Sequence, residues 1–157
     1  MEKLKPAKPA YQTIRLILGD QLNELHSWFS TSDPDVLYVV AEMQQETGYV
    51  RHHVQKVCAF FAAMSRFSAR LSDLGHKVQY LTLDDTAHYQ DLPALLSHLT
   101  TQHAVRYFEY QQPDEYRLQE QLGKLDLSEV KIAMFDTEHF FLAHADLPKY
   151  FKKNTSH

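Results

Sequence analysis

Cysteine is almost missing from this chain of 157 residues, which holds one, Cys58, together with four glycines and one tryptophan. A lone cysteine excludes an intramolecular disulfide and a self-contained zinc or iron–sulfur site built on four thiolates. That scarcity suits a reducing, cytoplasmic compartment. The few glycines form no G-x-G-x-x-G or Walker pattern, so no phosphate-cradling loop is expected. Basic charge is also short, with 16 lysines and arginines against 20 acids and a formal net charge of -4. No basic stripe stands out, and Trp28 and the tyrosines are too scattered for a base-stacking platform, so direct nucleic-acid binding is not expected. No apolar run approaches the roughly 20 residues that span a bilayer. The run Ile14 to Leu18 is too short for a signal peptide and carries Arg15. A soluble protein is expected. No G-x-S-x-G elbow or other hydrolytic constellation is present.

What is present is a chain with 44% hydrophobic residues, enough to bury a core, at a length that fits one domain. Short β-type runs alternate with longer helical stretches. Strands are expected at Thr13–Leu18, Asp35–Ala41, Lys77–Leu81, Ala104–Phe108 and Val130–Phe135, from their β-branched and aromatic content between breakers. The clearest helix spans His53 to Leu74. Val54, Val57, Phe61, Met64, Phe67, Leu71 and Leu74 recur there at three- and four-residue steps, and Gly75 sits where a C-cap glycine belongs. Further helices fit Leu92–Gln102, Glu115–Lys124 and Ala143–Lys152, the last short or broken because of Pro148. Residues 1–12 read as a flexible tail and 13–152 as the domain. The alternation implies an α/β fold with a doubly wound, mostly parallel sheet, because parallel strands require crossover connections.

In such sheets ligands bind beyond the carboxyl ends of the strands. The loops that begin there, at Gly19, Glu42, Asp84, Glu109 and Asp136, are rich in acids and amides. Carboxylates, amides and tyrosines repel phosphate and suit a neutral polyhydroxylated or heteroaromatic ligand. The alternative is that these acids cap helix N-termini and favour the dipole, which is the preferred reading for Asp84, Asp85 and Asp114. His52 and His53 are adjacent and on a helix point about 100° apart, so they suit a helix start better than a metal. His139 and His144 give no stronger metal pattern. Cys58, beside the apolar stripe, is expected to be a small buried hydrophobe.

Leu16-Ile17-Leu18-Gly19-Asp20-Gln21-Leu22 resembles the opening of the deoxyribodipyrimidine photolyase-related proteins, the group of iron–sulfur bacterial (6-4) photolyases and cryptochromes. The stretch from Glu42 to Lys56 is similar to that family's E-x-x-x-E-x-x-Y-V-x-H-H-x-x-K. Ala63–Phe67, Gly75–Tyr80 and Gln112–Arg117 resemble its A-M-R-H-F, G-x-x-V-x-Y and E-P-x-E-W-R elements. Ser65-Arg66 replaces the R-H pair of the first of these elements, and Gln112 and Tyr116 replace the acid and tryptophan of the last. The likeness runs from about Ile14 to Phe151.

The resemblance implies a five-stranded sheet in the order 3-2-1-4-5 that holds an antenna chromophore, 6,7-dimethyl-8-ribityllumazine, near its carboxyl edge. Gly19, Asp20, Gln21, Leu22 and Glu46 would line that pocket, with Glu42, Tyr49 and Glu109 as further candidates. For Asp20 and Glu46 it favours ligand contact over capping. In the family, excitation passes to FAD in a covering helical domain, which also carries a 4Fe-4S cluster and the DNA-lesion surface. One cysteine cannot hold that cluster, so the helical domain is expected to be absent here and these residues catalytically inactive. The covering domain is then the implied partner. Two other readings stay open: a small-molecule enzyme acting on a nucleotide-like substrate, and an interaction module that self-associates through an exposed face.

Overall fold

Runs of β-branched and aromatic residues between glycine, proline and aspartate breakers set the strands, and three- and four-residue periodicity sets the helices. A computed structural model describes residues 10–45 and 53–151. Its elements are β1 (Thr13–Leu16), β2 (Val36–Ala41), α1 (Val54–Asp73), β3 (Lys77–Leu81), α2 (Leu83–Thr86), α3 (Leu92–Gln102), β4 (Tyr107–Gln111), α4 (Tyr116–Gly123), β5 (Lys131–Phe135) and α5 (Leu147–Tyr150). Short 3-10 turns lie at Ser27–Phe29 and His144–Asp146. All strand pairs are parallel, and the sheet order is β3-β2-β1-β4-β5. The fold is therefore the α/β doubly wound sheet that the alternation implied, in the order 3-2-1-4-5.

Each face of the sheet carries its own core. On one face Ile14, Leu16, Leu37, Val39 and Phe108 pack against Leu92, Leu95, Leu96 and Leu99 of α3 and Leu118 and Leu122 of α4. On the other, Ile17, Val36, Tyr38 and Val40 pack against Phe61, Met64, Phe67 and Leu71 of α1 and against Trp28 and Phe29. β2 is buried at every position, as a central parallel strand must be.

Helix ends follow local chemistry. His53 caps α1 by accepting a hydrogen bond from the amide of Gln55 at 3.3 Å, the helix-start role expected of it. Gly75 takes φ +92° after the C-cap; its amide donates to Ser72 O and that of His76 to Leu71 O, a Schellman closure. Thr82 and Asp85 form a reciprocal capping box on α2, so Asp85 is a cap.

Four expectations change. β1 ends at Leu16, two residues short of the expected Leu18. β4 begins at Tyr107, three residues later than the sequence suggested, because Ala104 leaves α3 with φ +49° and Val105 and Arg106 complete that exit. Glu109 consequently lies inside β4 and does not open the loop after it. Cys58 is exposed, not buried: it sits one position round from Val57 and faces away from the sheet. The apolar stripe of α1 is shorter than its periodicity, since Val54 is 68% and Leu74 44% exposed. The helix, 20 residues long, outruns the six-residue strand β2 along which it packs, and its ends overhang.

That overhang separates two leucines of the same stripe. Leu71, with 0% exposure, should lose about 2–5 kcal/mol on Leu71→Ala. Leu74→Ala should stay within about 0.5 kcal/mol. Urea unfolding of both variants checks the contrast, and equal losses would contradict it.

Candidate functional site

β1 sits mid-sheet, with β2 on one side and β4 on the other, so the loops after β1 and β4 diverge and open a crevice at their carboxyl ends. Gly19 and Gln21 fix the first of these loops. A Cβ on Gly19 would lie 2.2 Å from Cζ of Phe60 and 3.0 Å from Sδ of Met64, so a side chain here would have to displace the Phe60 ring from the loop. Gln21 is 1% exposed. Its Oε1 accepts from the amide of Leu18 at 3.1 Å, and its Nε2 donates to the carbonyls of Gln111 and Gln112 at 3.2 and 3.3 Å. That amide thus ties the β1 loop to the end of β4. Leu22 packs half-buried against the cluster around Trp28.

Asp20 is left at the mouth of the crevice. It is exposed as a residue, yet its carboxyl lies against protein. This desolvation, with the charges of Asp114 and Glu115, raises its pKa above the ordinary carboxylate value against the opposing pull of His139. His139 Nε2 stands 3.2 Å from Asp114 Oδ2, and Glu115 pairs with Arg117 at 2.6 Å. The loops after β1, β4 and β5 therefore bring Asp20, Asp114, Glu115 and His139 within one electrostatic neighbourhood.

Other candidates lie elsewhere. Glu42 follows β2, and both of its carboxylate oxygens are engaged: Oε1 accepts from the Tyr80 hydroxyl and Oε2 from the amide of Leu83 at 2.9 Å. Burial, then the Glu42 charge, pushes the Tyr80 hydroxyl well above its usual pKa. Glu42 thus anchors α2. Glu109 accepts a hydrogen bond from Arg15 Nε at 2.7 Å on the face of the sheet, where Arg15 also reaches the Tyr38 hydroxyl at 3.0 Å and lies 4.9 Å from the Trp28 ring centre. Glu46 and Tyr49 lie outside the described residues, as do His52 and the stretch that joins Gln45 to His53.

Sequence reasoning missed four residues at this edge. His26 is 2% exposed. Its Nδ1 accepts from the amide of Trp28 at 3.1 Å, which leaves Nε2–H to donate to the Asp136 carbonyl at 2.9 Å. Gln111, Thr137 and Trp28 carry buried side-chain polar atoms without a partner among the described residues: both amide atoms of Gln111, Oγ1 of Thr137 and Nε1 of Trp28. Gln111 is paired in register with Phe135, whose ring meets Trp28 at 5.6 Å. The one signal for Gln111 was its place in the amide-rich run Gln111-Gln112. Among the described residues, no group of three or more histidines, cysteines and acids is placed to hold a metal ion. Nor is any helix there long and apolar enough to cross a membrane.

A raised carboxyl at the crevice destabilises the fold at neutral pH. The native state holds the Asp20 proton more tightly than the unfolded chain, so stability falls as pH rises from the ordinary carboxylate value to the raised native one. Asp20→Asn should therefore stabilise the protein at neutral pH by up to about 1 kcal/mol, solvent screening keeping the gain small. The gain should vanish below the ordinary carboxylate range. Thermal melts of both proteins across that window check the sign, and a gain that persisted in acid would refute it.

Comparison with known proteins agrees with the architecture. The family model of the deoxyribodipyrimidine photo-lyase-related protein matches residues 15–157. A protein of Agrobacterium fabrum named (6-4) photolyase is 35% identical over 71 residues, which are 45% of this chain and 14% of that protein. The chain thus matches only a small part of its curated relative. With a family match over nearly its whole length and the sheet order 3-2-1-4-5, the chain belongs to the deoxyribodipyrimidine photo-lyase-related family.

Proposed function

We propose that this chain is the antenna-binding domain of a photolyase- or cryptochrome-type protein. It would hold 6,7-dimethyl-8-ribityllumazine at the carboxyl edge of the sheet, beside the crevice between the β1 and β4 loops. The lumazine supplies absorption of short-wavelength light, with excitation passing to FAD in the helical domain of the longer family members. The observation that carries this reading is the acidic crevice formed by Asp20, Asp114 and Glu115, with His139 at its side. Such a crevice disfavours a phosphorylated ligand and accepts hydrogen bonds from ring N–H and ribityl hydroxyl groups.

The residues present fit such a group. Gln111 ends β4 with a buried amide nitrogen and oxygen that no atom of the described residues pairs with, and Thr137, two residues past β5, has a buried hydroxyl in the same state. A buried polar group of this kind is costly unless something pairs with it. A cyclic amide edge offers the complementary donor and acceptor, and a phosphate does not. Gly19 and Gln21 act on the shape of the site: one admits α1 and the other holds the β1 loop against β4. Glu46, by the resemblance, adds a second carboxylate acceptor.

The raised Asp20 carboxyl also favours a second reading, a general acid in a small-molecule enzyme. The two readings part on whether a ligand is bound unchanged or turned over.

A fluorescence and absorbance titration with 6,7-dimethyl-8-ribityllumazine, with FMN as control, tests the proposal. Saturable lumazine binding, with FMN weaker or absent, is the expected result. Asp20→Asn and Glu46→Gln should each weaken it by roughly tenfold to a hundredfold, the loss of a charge-assisted acceptor. No saturation with either compound, or equal affinity for both, would overturn the antenna assignment.

A further inference from the structure

β5 closes the sheet beside β4 and has no neighbour on its other side among the described residues. Every one of its five residues is exposed, and four of them, Ile132, Ala133, Met134 and Phe135, are apolar. Natural edge strands commonly carry prolines, bulges or inward charges that discourage pairing. β5 has none of these devices. Its single charge, Lys131, stands at its first position.

The ladder to β4 fixes which backbone groups remain free. The amide of Lys131 donates to Arg106 O at 2.9 Å, and the carbonyl of Phe135 accepts from the amide of Gln112 at 2.8 Å. Lys131, Ala133 and Phe135 thus direct their backbone groups to β4. Ile132 and Met134, which alternate with them, direct theirs outward.

We propose that β5 pairs antiparallel with β5 of a second copy of this chain, across a two-fold axis at Ala133, to make one continuous sheet. In that register the outward groups of Ile132 meet those of Met134 in the partner, and each such pair exchanges two hydrogen bonds. Ala133 faces its own counterpart in the intervening non-hydrogen-bonded pair. The side chains match in the same register. Ile132 and Met134 lie on the α3–α4 face, in line with Phe108 and Tyr110 of the core, and cross-strand apolar contact covers both. On the opposite face Lys131 falls across from Phe135, where an ammonium meets an aromatic ring rather than another lysine.

The sequence disfavours the other symmetric registers. An axis at Lys131 sets two lysines directly opposite each other, an axis at Ile132 or Met134 runs two residues of each strand beyond the partner's, and an axis at Phe135 runs four beyond it. Only an axis at Ala133 pairs all five residues and keeps the charges apart. The seam is self-complementary, as an isologous interface requires. Its small area makes it a weak, reversible dimer of micromolar or poorer affinity.

Sedimentation and light scattering across a concentration series test this on the intact chain. The wild type should shift reversibly from monomer to dimer, without larger species. Ala133→Lys places two like charges on the axis and should weaken the dimer at least about tenfold, with Ala133→Glu doing the same. Both substitutions sit at an exposed position, and circular dichroism confirms their folding. Mixing the two variants should restore dimers, because opposite charges then face each other. That rescue is the decisive readout, since a misfolded variant cannot give it. A wild type monomeric at every concentration would overturn the proposal and leave the edge to another segment of a longer chain. A dimer unaffected by Ala133→Lys would overturn it equally, by placing the seam elsewhere.

Discussion

The central position of β1 is the constraint on which the rest of this molecule depends. A parallel sheet cannot be closed by hairpins, so each strand must be reached by a crossover, and those crossovers share one hand. Once β1 has β2 on one side and β4 on the other, the chain leaves β1 in one direction and β4 in the other. Loops that diverge cannot pack on each other, and the gap must be bridged by side chains. Gln21 is that bridge, with its amide spanning from Leu18 to the carbonyls of Gln111 and Gln112. A glutamine suits the place because one side chain supplies both the acceptor and the donors that two strand ends leave unpaired. Asp20, one residue earlier, is thereby aimed at the crevice together with the acids of the β4 loop.

Where local pattern and tertiary environment agreed, the elements could be read from the residues. β3 and α3 have the bounds their composition implied, since Lys77–Leu81 carries strand-forming residues and Leu92–Gln102 runs from an aspartate cap through Pro93. The Gly75 closure of α1 was equally legible, because a left-handed position after an apolar stripe calls for glycine. β4 was misplaced for a physical reason. Glu109 and Gln111 look like loop residues, and an acid in an interior parallel strand contradicts the usual apolar run. What permits it is Arg15, 94 residues away in sequence, whose guanidinium neutralises Glu109 across the strand pair. No window along the chain contains that information. The same holds for the site: the acids at the loop starts were visible, but the full use of Glu42 by Tyr80 and Leu83 and the unpartnered amide of Gln111 arise only from packing.

The Arg15–Glu109 pair and the bareness of β5 have one cause. A doubly wound sheet covers each face with helices from its crossovers. Here α1 covers β2 and β3, while the chain from Ile17 to Asp35 crosses β1 with loops and the turn Ser27–Phe29. Cover over β4 and β5 on that face is thin: Trp28 meets Phe135 at 5.6 Å, and Tyr107 and Phe135 remain 41% and 38% exposed there. A charge pair under a helix would carry the full desolvation cost of two ions. At this half-covered position, with side chains 21% and 19% exposed, water still reaches it. The missing cover is thus what makes a charged residue tolerable in a central strand. It also leaves side chains of the outer strands bare on this face, so the polarity that disguised β4 in the sequence and the exposure of Tyr107 and Phe135 follow from the same short connection.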